Sequence, residues 1–142
     1  MSKINIAIAG VGNCSSALVQ GVQYYNENPE DTIGLMFQDI GGYSAPNFNF
    51  VVGFDVDSRK VGQRLNKAIY AEPNCNMEVF PPGHDMSCIA NESHVYRSPT
   101  LDGIAPHMHD LDKAITFLED TEPTPITARE YRDILKNRNV DV

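Results

Sequence analysis

The sequence predicts an α/β fold with parallel strands, and three observations carry that expectation. An apolar run at 4–9 stops at two glycines, Gly10 and Gly12. A second apolar run, 48–57, ends in the acids Asp55 and Asp57. Each is followed by residues at helical spacing, the order of a β-α-β unit whose strands lie parallel.

In the first run Ile4, Ile6 and Ile8 alternate with other residues, Ala7 and Ala9 among them, as suits a short strand buried on both faces. Gly10 allows the sharp turn out of the strand. Gly12, without a Cβ, lets an anion approach the backbone at the start of a helix, where free N–H groups and the helix dipole attract it. The third small position carries Ser15 where Gly or Ala is usual, so the string reads GxGxxS. A plain strand-to-helix turn is the competing reading. The position of the string, directly after a strand and before a helix, favours a pyrophosphate turn.

A helix is expected from Asn13 to about 26–29, with Ala17, Leu18, Val22 and Tyr25 as its apolar stripe. Residues 26–47 then form an insertion rich in breakers, whose apolar island at 33–37 is expected to pack on the domain, with a contact for a neighbouring subunit as the alternative. The second strand follows. A carboxylate at its end, Asp55, is placed to accept hydrogen bonds from ribose hydroxyls and to repel a 2′-phosphate. Asp57 is expected to cap the next helix. Asp55 lies 40 residues after Ser15, where about 20 is usual. The insertion accounts for the excess.

Residues 58–69 predict a helix burying Val61, Leu65, Ala68 and Ile69, with Arg59, Lys60, Gln63, Arg64 and Lys67 facing water, and Arg59 or Lys60 near an adenine ring as a secondary expectation. Residues 70–92 predict a long loop, and 94–96 a short strand. A helix is expected from Thr100 or Asp102 to about Leu118, with His107 and His109 on the surface, then a linker at 119–125. Thr127 and Glu130 make a capping box for a last helix with Ala128, Tyr131, Ile134 and Leu135 on its apolar face. Residues 139–142 look like the first of another strand. The expectation is therefore a Rossmann-like NAD-binding domain over 1–142, with insertions at 26–47 and 70–92, and a sheet incomplete at its C-terminal end.

Composition narrows the partners. A chain of 142 residues has room for one domain with its own core. Its formal net charge of −8, from 11 Lys and Arg against 19 Asp and Glu, argues against nucleic acid and anionic membrane. Backbone N–H groups still suffice for a small phosphate-bearing ligand. No run approaches the roughly 18 apolar residues of a membrane span and no signal-peptide pattern opens the chain, so a cytoplasmic location is expected. Cys14, Cys75 and Cys88 are odd in number and lack CxxC spacing, which predicts free thiols and no metal site.

Five strings taken together identify a resemblance: 10–25 (GVGNCSSALVQGVQYY), 34–36 (GLM), 54–57 (FDVD), 60–62 (KVG) and 97–103 (RSPTLDG). In this order they resemble the bacterial and archaeal branch of myo-inositol-1-phosphate (inositol-3-phosphate) synthase, along essentially the whole chain. Ser98 departs from the Gly expected there. The resemblance implies an NAD-dependent isomerase converting glucose 6-phosphate to an inositol phosphate through oxidation, enolisation, intramolecular aldol closure and re-reduction, without net oxidation. It implies a homo-oligomer, tetrameric in the family. By position it assigns Gly10, Gly12, Asn13, Cys14 and Ser15 to the pyrophosphate turn and Asp55 to the adenosine ribose, with Arg97 and, after it, Asp102 as further cofactor contacts. The catalytic lysines and substrate domain of the family come later than this segment, so no catalytic residue is assigned, and Lys113 and Lys136 read as surface residues. Two other readings stay open: part of an NAD-dependent dehydrogenase, and a non-catalytic NAD-binding or association module.

Overall fold

The computed structural model describes residues 2–102, 104–119 and 122–142. Three strands, β1 (Ile4–Ala9), β2 (Phe48–Asp55) and β3 (Val95–Arg97), form one parallel sheet in the order β1-β2-β3. Helix α1 (Asn13–Glu27) connects β1 to β2, the short α2 (Leu65–Ala68) lies between β2 and β3, and α3 (Ala128–Asn137) follows β3. This is a Rossmann-like α/β arrangement.

The register carries one irregularity. Ile6 pairs with Phe50 and Ala7 with Val52, so Val51 is passed over as a bulge and Val51 and Val52 join the same apolar cluster. On one face of the sheet, Ile8, Phe50 and Val95 pack with Val19 and Val22 of α1 and with Leu65, Ala68 and Ile69. On the other, Val52 and Phe54 pack with Tyr96 and with Tyr131, Ile134 and Leu135 of α3, Phe54 and Tyr131 stacking at 4.2 Å between ring centroids. Gly53 sits where three side chains converge: a Cβ there would lie 3.1 Å from carbons of Leu65, Val11 and Val95.

The sheet edges are occupied. Outside β3, residues 62–65 run antiparallel, with Gly62 N–H donating to Val95 O at 2.8 Å and Leu65 N–H to Ser93 O at 2.9 Å. Outside β1, Ala7 N–H donates to Val142 O at 2.9 Å and Val142 N–H to Asn5 O at 3.3 Å, the bonding of a parallel pair about Ile6. Residues 140–142 are too few for a strand element, yet they lie where the sequence expects one to begin. β1 is thus flanked by β2 on one side and the last residues on the other. In open α/β sheets the crevice beyond the C-terminal end of such a strand is where ligands bind.

Several expectations are corrected. The helix expected over 58–69 is reduced to Leu65–Ala68. The chain instead turns over 58–62, Gly62 takes φ +80°, and Gln63 and Arg64 are drawn into pairing beside β3. Lys60, expected in water, is buried at 1% exposure. The helix expected from about 102 to 118 is a 3-10 turn at Pro106–Asp110 followed by further turns, Pro106 occupying the first position of that turn, where its missing N–H does no harm. The island at 33–37 packs only in part: Ile33, Met36 and Phe37 are 84%, 87% and 65% exposed, while Leu35 is half-buried. Asp120 and Thr121 of the expected linker lie outside the described residues.

Helix α1 has the expected bounds but a different buried face. Leu18 is half exposed, and the face turned to the core is Ser15, Ser16, Val19, Gln20, Val22 and Gln23. Its two glutamines fasten the long loop at 70–92. Gln20 donates to Met77 O at 3.2 Å and accepts from Val79 N–H at 2.7 Å, while Gln23 accepts from Cys88 N–H at 3.2 Å.

Candidate functional site

The site is built at the C-terminal end of β1, where Gly10 takes φ +89°, a conformation that other residues adopt only with strain. Gly10 N–H donates to Phe54 O at 2.8 Å, which ties the turn to the end of β2. Gly12 is the N-cap of α1 and has φ −101°, so its backbone makes no demand for glycine. A Cβ added there would meet nothing within 4 Å. The open space on Gly12 is the cradle that a close-approaching ligand needs.

Ser15 turns inward. Its hydroxyl lies 2.9 Å from both Gly10 O and Gly12 O, so its single O–H is shared between the two carbonyls of the turn. The first intrahelical bond runs from Ser16 N–H to Gly12 O at 2.9 Å, and the N–H groups of Asn13, Cys14 and Ser15 precede it. That places three backbone donors and the positive end of the helix dipole beside the open side of Gly12.

Asp55 stands across from the turn, at 7% exposure. Its Oδ2 accepts from Val11 N–H at 2.6 Å, and its Oδ1 from Val56 N–H at 2.7 Å and Asp57 N–H at 2.9 Å. A carboxylate offers about four acceptor positions, so about one remains for a ligand hydroxyl. That is fewer than the ribose hydroxyls that the sequence expects Asp55 to serve. Asp55 spends most of its capacity shaping the backbone.

The Val11 carbonyl, in the following peptide unit, is held by a residue that the sequence places in water. Lys60 Nζ donates to Val11 O at 2.6 Å and to Ala71 O at 2.8 Å. Burial pushes its amine below the ordinary lysine range, and the Asp55 and Asp57 carboxylates act against that shift. Val11 is therefore gripped at its N–H by an accepting carboxylate and at its C=O by a donating ammonium, with its side chain fully buried. A lysine five residues beyond the strand-end acid is the signal, but buried lysines are too rare for spacing alone to reveal it.

Asp57 caps a turn, not a helix. Its Oδ1 accepts from Arg59 N–H and Nε, both at 2.9 Å, and its Oδ2 pairs with Arg59 Nη2 at 2.6 Å. Burial alone would raise its pKa, but the bonds from Arg59 and from the Leu118 N–H outweigh that and hold it below the usual carboxylate value. Arg59 in turn donates to Lys113 O at 2.8 Å and Thr116 O at 2.7 Å, so the segment 113–118 walls the site beyond β2.

The remaining predicted residues sit as follows. The Asn13 side chain is turned to the 70–92 loop, accepting from Cys75 N–H at 2.9 Å and donating to Cys75 Sγ at 3.1 Å. The Cys14 side chain is exposed on the first turn of α1. Arg97 pairs with Asp55 in the sheet register, its Nη1 donates to Pro123 O at 2.9 Å, and its buried Nε has no partner among the described residues. Asp102 is exposed, away from these bonds. A cavity of about 630 Å³ lies elsewhere: Ile4 and Phe48, the first residues of β1 and β2, line it with Leu18 and Tyr25. It is at the wrong end of the sheet for this site. Among the described residues no group of three or more His, Cys, Asp or Glu is placed to hold a metal ion, and no helix is long and apolar enough to cross a membrane.

No family model matches the sequence. The chain is 40% identical to the inositol-3-phosphate synthase of Mycolicibacterium smegmatis over 144 aligned positions, which cover 99% of this chain and 35% of that protein. It is 43% identical to the inositol-3-phosphate synthase of Corynebacterium glutamicum over 75% of this chain and 28% of that protein. The identity to the Mycobacterium tuberculosis (strain H37Rv) inositol-3-phosphate synthase is 38%, over 99% of this chain and 35% of that protein. Among solved structures it is similar to the crystal structure of Ari2, with a TM-score of 0.64 and 26% identity over 99% of this chain and 36% of that one. The chain thus spans about a third of the length of these relatives.

Proposed function

We propose, from a sequence related along its whole length to the inositol-3-phosphate synthases, that this chain is the dinucleotide-binding part of such an enzyme and holds NAD⁺ at the Gly10–Ser15 turn. The observation that carries the reading is Gly12. Neither its φ nor its surroundings call for a glycine, and the space beside it adjoins three backbone donors at the start of α1. A pyrophosphate is the anion that this combination suits.

The turn residues would receive the pyrophosphate on the N–H groups of Asn13, Cys14 and Ser15. Asp55, with about one acceptor position left, would take one ribose hydroxyl, and its charge would disfavour a 2′-phosphate. The Arg97 guanidinium, with a buried Nε that lacks a partner among the described residues, is available to an acceptor at the ends of β2 and β3. NAD⁺, when bound, supplies a reversible hydride acceptor. The conversion proposed for the whole enzyme is that of glucose 6-phosphate to an inositol phosphate, redox-neutral overall, in a homo-oligomer. The groups acting on the sugar are not assigned to this chain.

The reading is tested by titrating NAD⁺ and NADP⁺ into the purified chain in a calorimeter. Saturable binding of NAD⁺, at least about tenfold tighter than NADP⁺ as one unpaired phosphate beside a carboxylate entails, supports it. No binding of NAD⁺ removes the turn and Asp55 from that role, and equal binding of both removes Asp55.

A further inference from the structure

We propose that Lys60 is a positioning residue of the dinucleotide site: its ammonium holds the Val11 carbonyl so that the Gly10–Val11–Gly12 turn keeps its N–H groups and the open side of Gly12 presented to a pyrophosphate. The inference rests on the dinucleotide reading above, and it assigns a task to a group that contact with a ligand does not require.

Burying a lysine removes a charge from water, and such a residue persists where its donors are satisfied and its charge is useful. Lys60 is 1% exposed and gives two of its three donors to the carbonyls of Val11 and Ala71. Asp55 takes the Val11 N–H at 2.6 Å, so the backbone of the residue between the two glycines is fixed at both polar groups. Gly10 and Gly12 are the most permissive backbone positions in the turn; Phe54 O and the Ser15 hydroxyl hold their own polar groups, and the Val11 anchors fix the peptide groups between them. Fixing the turn beforehand spares a ligand that ordering.

The charge contributes as well. Asp55 and Asp57 face Lys60 from the end of β2, with Arg59 next to it in sequence and bound to Asp57. In a chain of net charge −8, the ammonium offsets the Asp55 carboxylate next to which a dianionic pyrophosphate has to settle. A purely structural role, joining 71 to the turn, would be indifferent to whether the ligand carries phosphate.

ADP-ribose and adenosine separate the two roles, since both carry the adenosine ribose and only the first carries a pyrophosphate. Titrated into the purified chain, Lys60→Met should weaken ADP-ribose by about tenfold or more while leaving adenosine within about twofold, and Lys60→Arg should retain most of the ADP-ribose affinity. Should the Met variant lose its folded circular dichroism, Lys60→Gln, which keeps a donor without the charge, takes its place with the same expectation. Unchanged ADP-ribose binding in the neutral variant, or an equal loss of both ligands, overturns the proposal while wild-type binding leaves the dinucleotide reading intact. A wild-type chain that takes up no ADP-ribose overturns the reading and the proposal with it.

Discussion

Asp55 Oδ2 accepts a hydrogen bond from the backbone N–H of Val11 at 2.6 Å, joining the end of β2 to the glycine turn across 44 residues of sequence. The acid thus helps to build the turn, besides the ribose contact proposed for it. Asp55→Ala strips three backbone N–H groups of their acceptor, each worth about 1–3 kcal/mol if left unsatisfied. It should therefore destabilise the chain and also weaken NAD⁺ by about 1.5–3 kcal/mol. Asp55→Asn, retaining an acceptor oxygen, should recover part of the stability. Denaturant melts and calorimetry on both variants read the two effects separately, and unchanged NAD⁺ affinity in Asp55→Ala takes Asp55 out of the site.

The Asp57–Arg59 pair predicts an acid-labile wall. Asp57 has its pKa held below the ordinary 3.8, so its stabilisation is complete above that value and is lost as pH falls through the lower folded-state value. Asp57→Asn should flatten this acid limb of stability. At neutral pH it should cost about 2 kcal/mol, less than the ~3–5 kcal/mol of a wholly buried pair because Arg59 keeps some contact with water. Urea midpoints measured from pH 7 down to 3 check this, and parallel wild-type and variant curves would contradict it.

Gln20 fastens the 70–92 loop to α1 through Met77 and Val79. Gln20→Leu leaves the Val79 N–H without its acceptor and should destabilise by about 1–3 kcal/mol. Amide exchange should speed up at 79–80 and hardly change in α3. Uniform acceleration throughout would show that the loop is not a separately fastened unit.

What could be read from the sequence divides along physical lines. β1, β2, the start of α1 and the Thr127–Glu130 capping box were legible because each is specified by residues next to one another: alternating apolar runs, a turn glycine, a side chain bonding three residues on. The helix expected over 58–69 failed because its apolar spacing competes with a long-range alternative, the pairing of 62–65 beside β3. The buried face of α1 differs from the expected stripe because Gln20 and Gln23 are polar, and their amide oxygens find donors in a loop about 60 residues away. Of the candidate residues, the sequence pairs the glycine turn with Asp55, and the structure brings the two together through the Val11 N–H. Lys60 and the bonds that consume most of the Asp55 acceptors depend on tertiary contacts that no local pattern records.

The Thr127 cap offers a check on the α3 layer. Its Oγ1 accepts from Glu130 N–H at 3.3 Å, and its own N–H donates to Glu130 Oε2 at 2.8 Å. Thr127→Ala should cost about 1 kcal/mol, read as a lower melting temperature with NAD⁺ affinity unchanged, because α3 packs on the far face of the sheet. A loss of affinity would mean that α3 supports the site.

The central claim, that the space beside Gly12 belongs to a dinucleotide, is tested most directly by Gly12→Ala. The added methyl meets nothing within 4 Å in the free chain and the backbone φ accepts it, so folding stability should stay within about 1 kcal/mol of wild type. NAD⁺ affinity, measured by calorimetry on the same samples, should fall by about tenfold or more as the methyl enters the space of the pyrophosphate. Equal NAD⁺ affinity in the two proteins would contradict the account.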